Sequence, residues 1–333
     1  MAPAVLLALL AAGAVFFGSC LGTRLLIATL RRRQMLDVPN ERSLHTMPVP
    51  RGGGIAVIGT IVAAWAGLSV VGLPARADLL ASAAATGLAI VSWIDDRNGL
   101  SPVPRLAAQF VAVAVTLVML PGALFQGWLP PALDAVATAL LWVWFINLYN
   151  FMDGVDGIAG SEAVAIGLGL MLVASSGRAF DLDIAFPAAA IVLAALGFLV
   201  WNWAPARIIL GDVGSIPLGF LLGFLLRELA LRGMWKAALI LPLYFLADAT
   251  LTLLRRLARG ERVWRPHREH FYQRAVQRGL RHDAVVLRVI AADIVLIGCA
   301  WAAENISGFA GFAVAILTVA LLLVALGRGT QRA

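Results

Sequence analysis

The sequence predicts an all-α, polytopic membrane protein of about 10–11 transmembrane helices, each a run of roughly 20 apolar residues. Three observations carry that prediction. Of 333 residues, 61% are hydrophobic and 14% charged, where a soluble chain carries about 25% charged residues. Mean hydropathy is +0.89. The stretches between the apolar runs are short, the two longest being 30–52 and 256–283, so residues 1–333 are read as one integral-membrane domain. A soluble protein with buried helices is excluded, because the runs are too many and too long for one core.

Taken in order, the apolar runs place eleven helices at approximately 4–29, 53–72, 78–94, 105–120, 132–149, 161–175, 184–202, 213–230, 237–255, 284–303 and 308–326. The first lacks a basic region before it and a convincing cleavage site, so it is read as a span and not as a removed signal peptide. Cys20 and Cys299 lie inside spans and read as small core residues, without a disulfide or metal spacing. Gly219 and Gly223 stand four apart, a pair able to pack helices within a chain or between two copies.

Orientation follows from the basic residues of the loops. With eleven spans, loops 30–52, 95–105, 147–160, 202–212 and 255–282 and the C-terminal tail share one side and hold nineteen of the basic residues. The opposite side holds five: Arg76, Arg178, Arg227, Arg232 and Lys236. The first side is therefore expected in the cytoplasm and the N-terminus outside. Of 26 basic residues only Lys236 is a lysine. Arginine grips phosphate with a planar fork, although genomic base composition gives the same bias.

The chemistry-bearing residues fall on that expected cytoplasmic side. Loop one ends in Arg51-Gly52-Gly53-Gly54. A glycine turn opening a helix can offer amide N–H groups to a phosphate, though tight packing is its commoner use. Loop two carries Asp95-Asp96. Adjacent carboxylates repel unless a cation offsets them, which suits a divalent metal with oxygen ligands; the alternative is a solvated helix end. Gln109 follows Arg105 by one turn and is expected to orient it. Loop three, Asn147 to Gly160, contains two amides, Asp153 and Asp156, and Gly154, Gly157 and Gly160. If it is helical, the acids share a face beside a bare glycine ridge suited to a flat ligand. Loop four contains Asn202 and Gly211-Asp212-Val213-Gly214-Ser215, with Asp212 at a helix start where the macrodipole favours an acid. Loop five is arginine-rich and includes Arg265-Pro266-His267-Arg268-Glu269-His270 and His282, phosphate-binding and proton-handling groups that also suit anionic lipid head groups. Asp248 lies about 10 Å inside a span and, as an intramembrane acid, is a functional candidate; Asp293 is a second, weaker one. Acids collect a metal, and metal and arginines collect phosphates. That inventory suits phosphoryl transfer, with a lipid phosphate as one substrate.

The order Asp-x-Pro-x-x-Arg-x-x-His-x-x-x-x-Pro-x-Gly-Gly (37–53), Asp-Asp (95–96), Asn-x-x-Asn-x-x-Asp-Gly-x-Asp-Gly-x-Ala (147–159), Gly-Asp-x-Gly-Ser (211–215) and a late histidine loop resembles the polyprenyl-phosphate N-acetylhexosamine-1-phosphate transferases. This superfamily includes the initiating enzymes of O-antigen, common-antigen and teichoic-acid synthesis, and the phospho-N-acetylmuramoyl-pentapeptide transferase of peptidoglycan synthesis. The resemblance spans about residues 24–280. It implies an enzyme of the bacterial inner membrane, with its active site at the cytoplasmic face. The implied reaction takes a UDP-N-acetylhexosamine and undecaprenyl phosphate to undecaprenyl-pyrophosphoryl-sugar and UMP, with magnesium, or manganese in its place. No nucleic acid is involved, and a homodimer is compatible with the glycine pair.

Carried over by position, the resemblance makes Asp212 the principal metal ligand, with Asn150 and Asp95. It places Asp95, Asp96, Asp153, Asp156, His267 and His270 in the catalytic group. Asp95 is either a base for the lipid phosphate or a positioning group. His45, Arg51, Arg105, Asn147, Asn150, Gly154, Asn202, Arg265 and Arg268 are expected to bind substrate. Two departures separate the chain from the muramoyl-pentapeptide branch. That branch has three consecutive histidines in the last loop, where this chain has His267 and His270 around Arg268-Glu269, and a Pro-Thr-Met-Gly-Gly pattern where this chain has Pro48-Val49-Pro50-Arg51-Gly52-Gly53. Both favour the simple N-acetylhexosamine branch. The rivals are the pentapeptide transferase and, in another class, an ion-coupled transporter using Asp248 and Asp293.

Overall fold

The computed structural model describes residues 2–39, 44, 47–70, 76–175, 181–263 and 267–328. Within them the chain forms α1 (Ala2–Arg32), β1 (Leu36–Asp37), β2 (Val49–Pro50), α2 (Gly54–Val70), α3 (Arg76–Asn98), α4 (Pro102–Met119), α5 (Pro131–Phe151), α6 (Ile158–Ala174) and α7 (Leu182–Asn202). It continues as α8 (Asp212–Leu231), α9 (Trp235–Ile240), α10 (Leu243–Ala258), α11 (Phe271–Gln277), α12 (His282–Asn305) and α13 (Gly308–Gly327). It is an all-α membrane protein. Among the described residues, eight helices are long and apolar enough to cross a bilayer: α1, α3, α4, α5, α7, α8, α12 and α13. α2 and α6 are equally apolar but shorter.

Ten of the eleven expected helices form close to their predicted places. The eleventh, expected over 237–255, is broken into α9 and α10 at Leu241-Pro242. Pro242 has no N–H to continue the ladder, and its carbonyl instead accepts from Leu246 to open α10. α11 is an additional short helix inside the arginine-rich loop. α3 runs on to Asn98, so Asp95 and Asp96 stand on its last turn and not in a loop.

α8 is the axis of the bundle. Its residues from Val213 to Arg227 are all buried, and α3, α5, α2, α9 and α6 pack around it. Small residues make that approach feasible. A Cβ on Gly54 at the start of α2 would lie 2.1 Å from Gly214 Cα, so the Gly52-Gly53-Gly54 run serves helix packing. A Cβ on Gly223 would lie 2.6 Å from the Trp142 ring of α5, and Trp142 stacks on Phe220 at 4.9 Å while donating to its carbonyl at 3.1 Å. The Gly219–Gly223 pair is thus used within the chain.

One strap positions the end that carries Arg51 and Asp212. β1 and β2 pair antiparallel, and the chain beyond β2 hydrogen-bonds to the segment before α8. Ile209 N donates to Pro50 O (2.8 Å), Gly53 N to Ile209 O (2.9 Å) and Gly54 N to Leu210 O (2.9 Å). Loop one is thereby tied to the entrance of α8 across more than 150 residues of sequence. Gly54→Ala is expected to lower stability by about 1–3 kcal/mol, the usual range for overpacking, as a loss of thermal midpoint in detergent. An unchanged midpoint would show that the α2–α8 contact is not tight.

Candidate active site

The acids and arginines singled out in the sequence converge where α3, α4, α5 and α8 end or begin. α8 opens at Asp212, after Gly211 with φ 77°, a conformation that favours glycine. Its first N–H groups are met by the Asp96 side chain of α3, which accepts from Asp212 N (3.3 Å) and Val213 N (3.0 Å). A helix N-terminus attracts an anion, and here the protein's own carboxylate fills that place.

From there the charges alternate. Arg51 Nη2 lies 2.9 Å from Asp96 Oδ1 and 2.8 Å from Asp212 Oδ1. Arg105 reaches Asp212 Oδ2 through Nη2 (2.8 Å) and Asp95 Oδ2 through Nε (2.9 Å). Asp95 Oδ1 also accepts from Leu100 N at 2.6 Å. The result is a chain Asp96–Arg51–Asp212–Arg105–Asp95. Asn150 donates to Asp212 Oδ1 (3.3 Å) and Ser215 Oγ (2.8 Å). Burial alone would lower the Arg51 pKa, but Asp96, Asp212 and Asp37 around it more than offset this and hold the guanidinium charged. Asp153 lies within electrostatic reach of the same group. Burial pushes its pKa up to about 7, and the negative charge of Asp212 adds to the rise while Arg51 opposes it.

A cavity of about 640 Å³ opens beside this chain, lined by Arg33, Asp37, Arg51, Asp96 and Arg97 among others. Arg33 and Arg97 were counted in the sequence only as loop charge; their place on the cavity wall follows from where α1 and α3 stop.

Other expected site residues have structural partners. Asn147 donates to Gln109 Oε1 at 2.6 Å, so Gln109 orients α5 and not Arg105. Asn202 is buried, accepting from Gly157 N (3.0 Å) and donating to Ile208 O (2.8 Å). Asp156 Oδ2 accepts from Ala206 N (3.0 Å) and lies 3.2 Å from His282 Nδ1. The segment holding Asp153 and Asp156 is a turn between α5 and α6, so the two acids do not share a helix face. Nor is the glycine ridge bare. A Cβ on Gly154 would lie 2.3 Å from the Tyr272 hydroxyl, and Gly157 and Gly160 pack against Trp203 and Leu199.

The histidines form a second group. Asp248 is fully buried and accepts from Tyr244 Oη (3.2 Å), Thr252 Oγ1 (3.3 Å), Phe271 N (2.9 Å) and Tyr272 N (3.3 Å). It therefore caps α11, which accounts for this buried acid and withdraws it from an ion relay. His270 is buried, with Nδ1 3.4 Å from Asp248 Oδ1, and its ring lies 4.8 Å from that of His267. Burial pushes the His267 pKa down to about 4, with His270 and Arg256 acting in the same direction. Gln277 donates to the Arg268 carbonyl at 2.7 Å. Tyr272 Oη donates to Phe151 O at 2.9 Å and so links this group to the turn that carries Asp153. His45 and Arg265 lie outside the described residues. Glu162, a lone acid in the apolar run of α6 that belongs to no motif, is also fully buried.

Among the described residues no three His, Cys, Asp or Glu side chains converge on one point as a ready metal cage. The donor set nevertheless fits a hard cation, since Asp212, Asp95 and Asn150 offer oxygens.

Residues 79–230 match the sequence profile of glycosyl transferase family 4. The chain is 30% identical over 305 residues to the decaprenyl-phosphate N-acetylglucosaminephosphotransferase of Mycobacterium tuberculosis, covering 79% of this chain and 74% of that one. It is 29% identical over 275 residues to the probable undecaprenyl-phosphate N-acetylglucosaminyl 1-phosphate transferase of Bacillus subtilis, covering 76% and 72%. It is also 29% identical over 319 residues to the phospho-N-acetylmuramoyl-pentapeptide-transferase of a Mycobacterium species, covering 79% and 88%.

A pH dependence follows from Asp153 and His267. Asp153 binds its proton more tightly folded than at its ordinary value of 3.8, so its contribution to stability falls as pH rises towards and through about 7. His267, lowered from 6.5 to about 4, acts in the opposite sense, but only below pH 6.5. The thermal midpoint between about pH 6.5 and 8 is therefore expected to fall with pH in the wild type and to fall less steeply in Asp153→Asn. Equal slopes in the two proteins would refute the assignment.

Proposed function

This chain belongs to glycosyl transferase family 4, and from that membership and the geometry above we propose that it transfers an N-acetylhexosamine 1-phosphate from a UDP-sugar to undecaprenyl phosphate. The observation that carries this is the Asp96–Arg51–Asp212–Arg105–Asp95 chain, whose Asp96 and Arg51 end lines a cavity that Arg33 and Arg97 also line. An oxygen of the lipid phosphate attacks the β-phosphorus of the donor, the bond between that phosphorus and the bridging oxygen breaks, and UMP leaves with the bridging oxygen. Arg51 and Arg105 are held in place by aspartates, and exchange carboxylate for phosphate when substrate enters. Both can then grip phosphate oxygens with a planar fork. Asp153 and Asn150 face the same point from the α5–α6 turn and the end of α5.

Asp212, with Asn150 and Asp95, would hold a magnesium or manganese ion, which when bound supplies positive charge to the pyrophosphate oxygens. The excess of arginine in the loops at this end supports its cytoplasmic placement, in the inner membrane of a bacterium, with the N-terminus outside. The reaction would be the first membrane step of a cell-surface polysaccharide.

Overall identity does not separate the two branches, since N-acetylglucosamine and pentapeptide relatives match to similar extents. The loops favour the simple sugar: His267-Arg268-Glu269-His270 stands where the other branch has consecutive histidines. Release of UMP from UDP-N-acetylglucosamine, other UDP-N-acetylhexosamines and the muramoyl-pentapeptide donor, each with undecaprenyl phosphate, tests this. Release from the pentapeptide donor alone would reverse the branch.

Asp212→Asn is expected to lower turnover on the order of a hundredfold or more, as loss of a charge-positioning group does. The protein should remain folded, because Arg51 and Arg105 keep Asp96 and Asp95 as partners. Wild-type turnover in that variant would sink the role given to Asp212. Chelation with EDTA should abolish UMP release and added magnesium restore it; release that survives chelation would rule out the ion.

A further inference from the structure

His282 is the first residue of α12. It lies beyond the stretch that matches the family profile and has no part in the reaction described above. Its imidazole reaches back to the turn between α5 and α6, where Nδ1 lies 3.2 Å from Asp156 Oδ2 and 3.4 Å from Asp156 N. One ring nitrogen therefore faces both the carboxylate and the N–H of the same residue. Without a proton, Nδ1 accepts from the N–H; with one, it donates to the carboxylate. Asp156 is held in either state. The two side chains are 16% and 17% exposed, so water competes little for the contact. The neighbouring acid does not compete either, because Asp283 is engaged by Arg281 at 3.0 Å and 2.6 Å.

Separate segments of the chain meet at Asp156. Its Oδ2 also accepts from Ala206 N at 3.0 Å, in the connection that leads to Gly211 and Asp212. Its negative charge acts on Asp153, which shares the turn and also feels Asp212. His282 adds α12 as a further support, and α12 is itself fixed against α6. Glu162 of α6 and Asp293 of α12 are buried, with their carboxyl groups hydrogen-bonded to each other. Such a bond needs a proton held between the two groups, and it sets the register of α12 on the helix that follows the turn. We propose that His282 is a positioning residue for the transfer proposed above, on which this role rests. It fixes Asp156, and with it the direction in which the turn presents Asp153 towards Asp212. Tyr272 and Asn202 hold backbone groups on either side, at Phe151 O and Gly157 N; His282 acts on the acid between them.

Two readouts on the full chain in nanodiscs test this: UMP release from UDP-N-acetylglucosamine with undecaprenyl phosphate, and amide exchange over residues 153–157. His282→Asn keeps an amide group at the position of Nδ1, whereas His282→Gln carries it one bond further out. In His282→Gln, kcat is expected to fall about tenfold with KM for both substrates within about twofold, the pattern of lost positioning. The amides of the turn should exchange about tenfold faster in that variant. His282→Asn should stay within about twofold of the wild type in both readouts. On an Asp156→Ala background, His282→Gln should cost less than it does in the wild type, as for residues that act through one another. Equal behaviour of the Asn and Gln variants, or an equal cost in both backgrounds, overturns the proposal. Exchange does not depend on turnover. If the wild type releases no UMP, the reaction proposed above fails, while faster exchange in His282→Gln alone still supports the hold on Asp156.

Discussion

The amino end of α8 governs the arrangement of the whole ligand-binding end. α8 is enclosed on nearly all sides, so its free N–H groups must be met by other parts of the chain and not by water. Asp96 meets them from α3. That places a buried carboxylate beside Asp212, and two acids so close are tolerable only with cations between and around them. Arg51 and Arg105 supply those cations, the first held by the strap from β2 to residue 209 and the second by the first turn of α4. One helix end therefore fixes two arginines and three aspartates.

Much of this was legible in the sequence, and the part that was not has a common cause. Hydropathy located the spans because membrane insertion depends on the composition of a single segment. It misplaced the break at Pro242 because an apolar run does not register a missing N–H. Residue chemistry singled out Asp95, Asp96, Asp153 and Asp212 because charge beside a span is costly and therefore conspicuous, while Arg51 and Arg105 came from the family resemblance. Pairing was not legible. Arg51 and Asp212 are separated by 161 positions, and nothing local says that they meet. The same limit explains Asp248 and Asn202, whose roles as a cap on α11 and a tie to Gly157 depend on backbone groups far along the chain. It also explains Gly154, where the sequence shows an absent side chain but not the Tyr272 hydroxyl that occupies the space.

A resting site whose arginines are already paired with its own carboxylates has an energetic meaning. Partly buried ion pairs gain little net stability, because desolvation offsets their attraction. What they gain is position: each guanidinium is held between two carboxylates, and Arg51 lines the cavity. A phosphate entering there replaces one anion with another, so it does not need to draw a flexible arginine out of water. The exchange leaves carboxylates without their cations, most of all Asp212, which has a guanidinium on each oxygen. Displaced acid and arriving phosphate would then repel each other, and that repulsion is the physical reason to expect an additional cation when both are present.

The two polar groups at this end are mechanically joined. Asp248 fixes the start of α11 through Phe271 N and Tyr272 N. Tyr272 in turn holds the Phe151 carbonyl and covers Gly154. The turn carrying Asp153 is thus clamped between α11 on one side and Asn202 on the other, through Gly157 N. A side chain at residue 154 would push Tyr272 away and loosen α11, and with it His270 against Asp248. Glycine at that position is therefore a requirement of the joint between the histidine group and the aspartates, and its effect on a ligand is exerted through that joint.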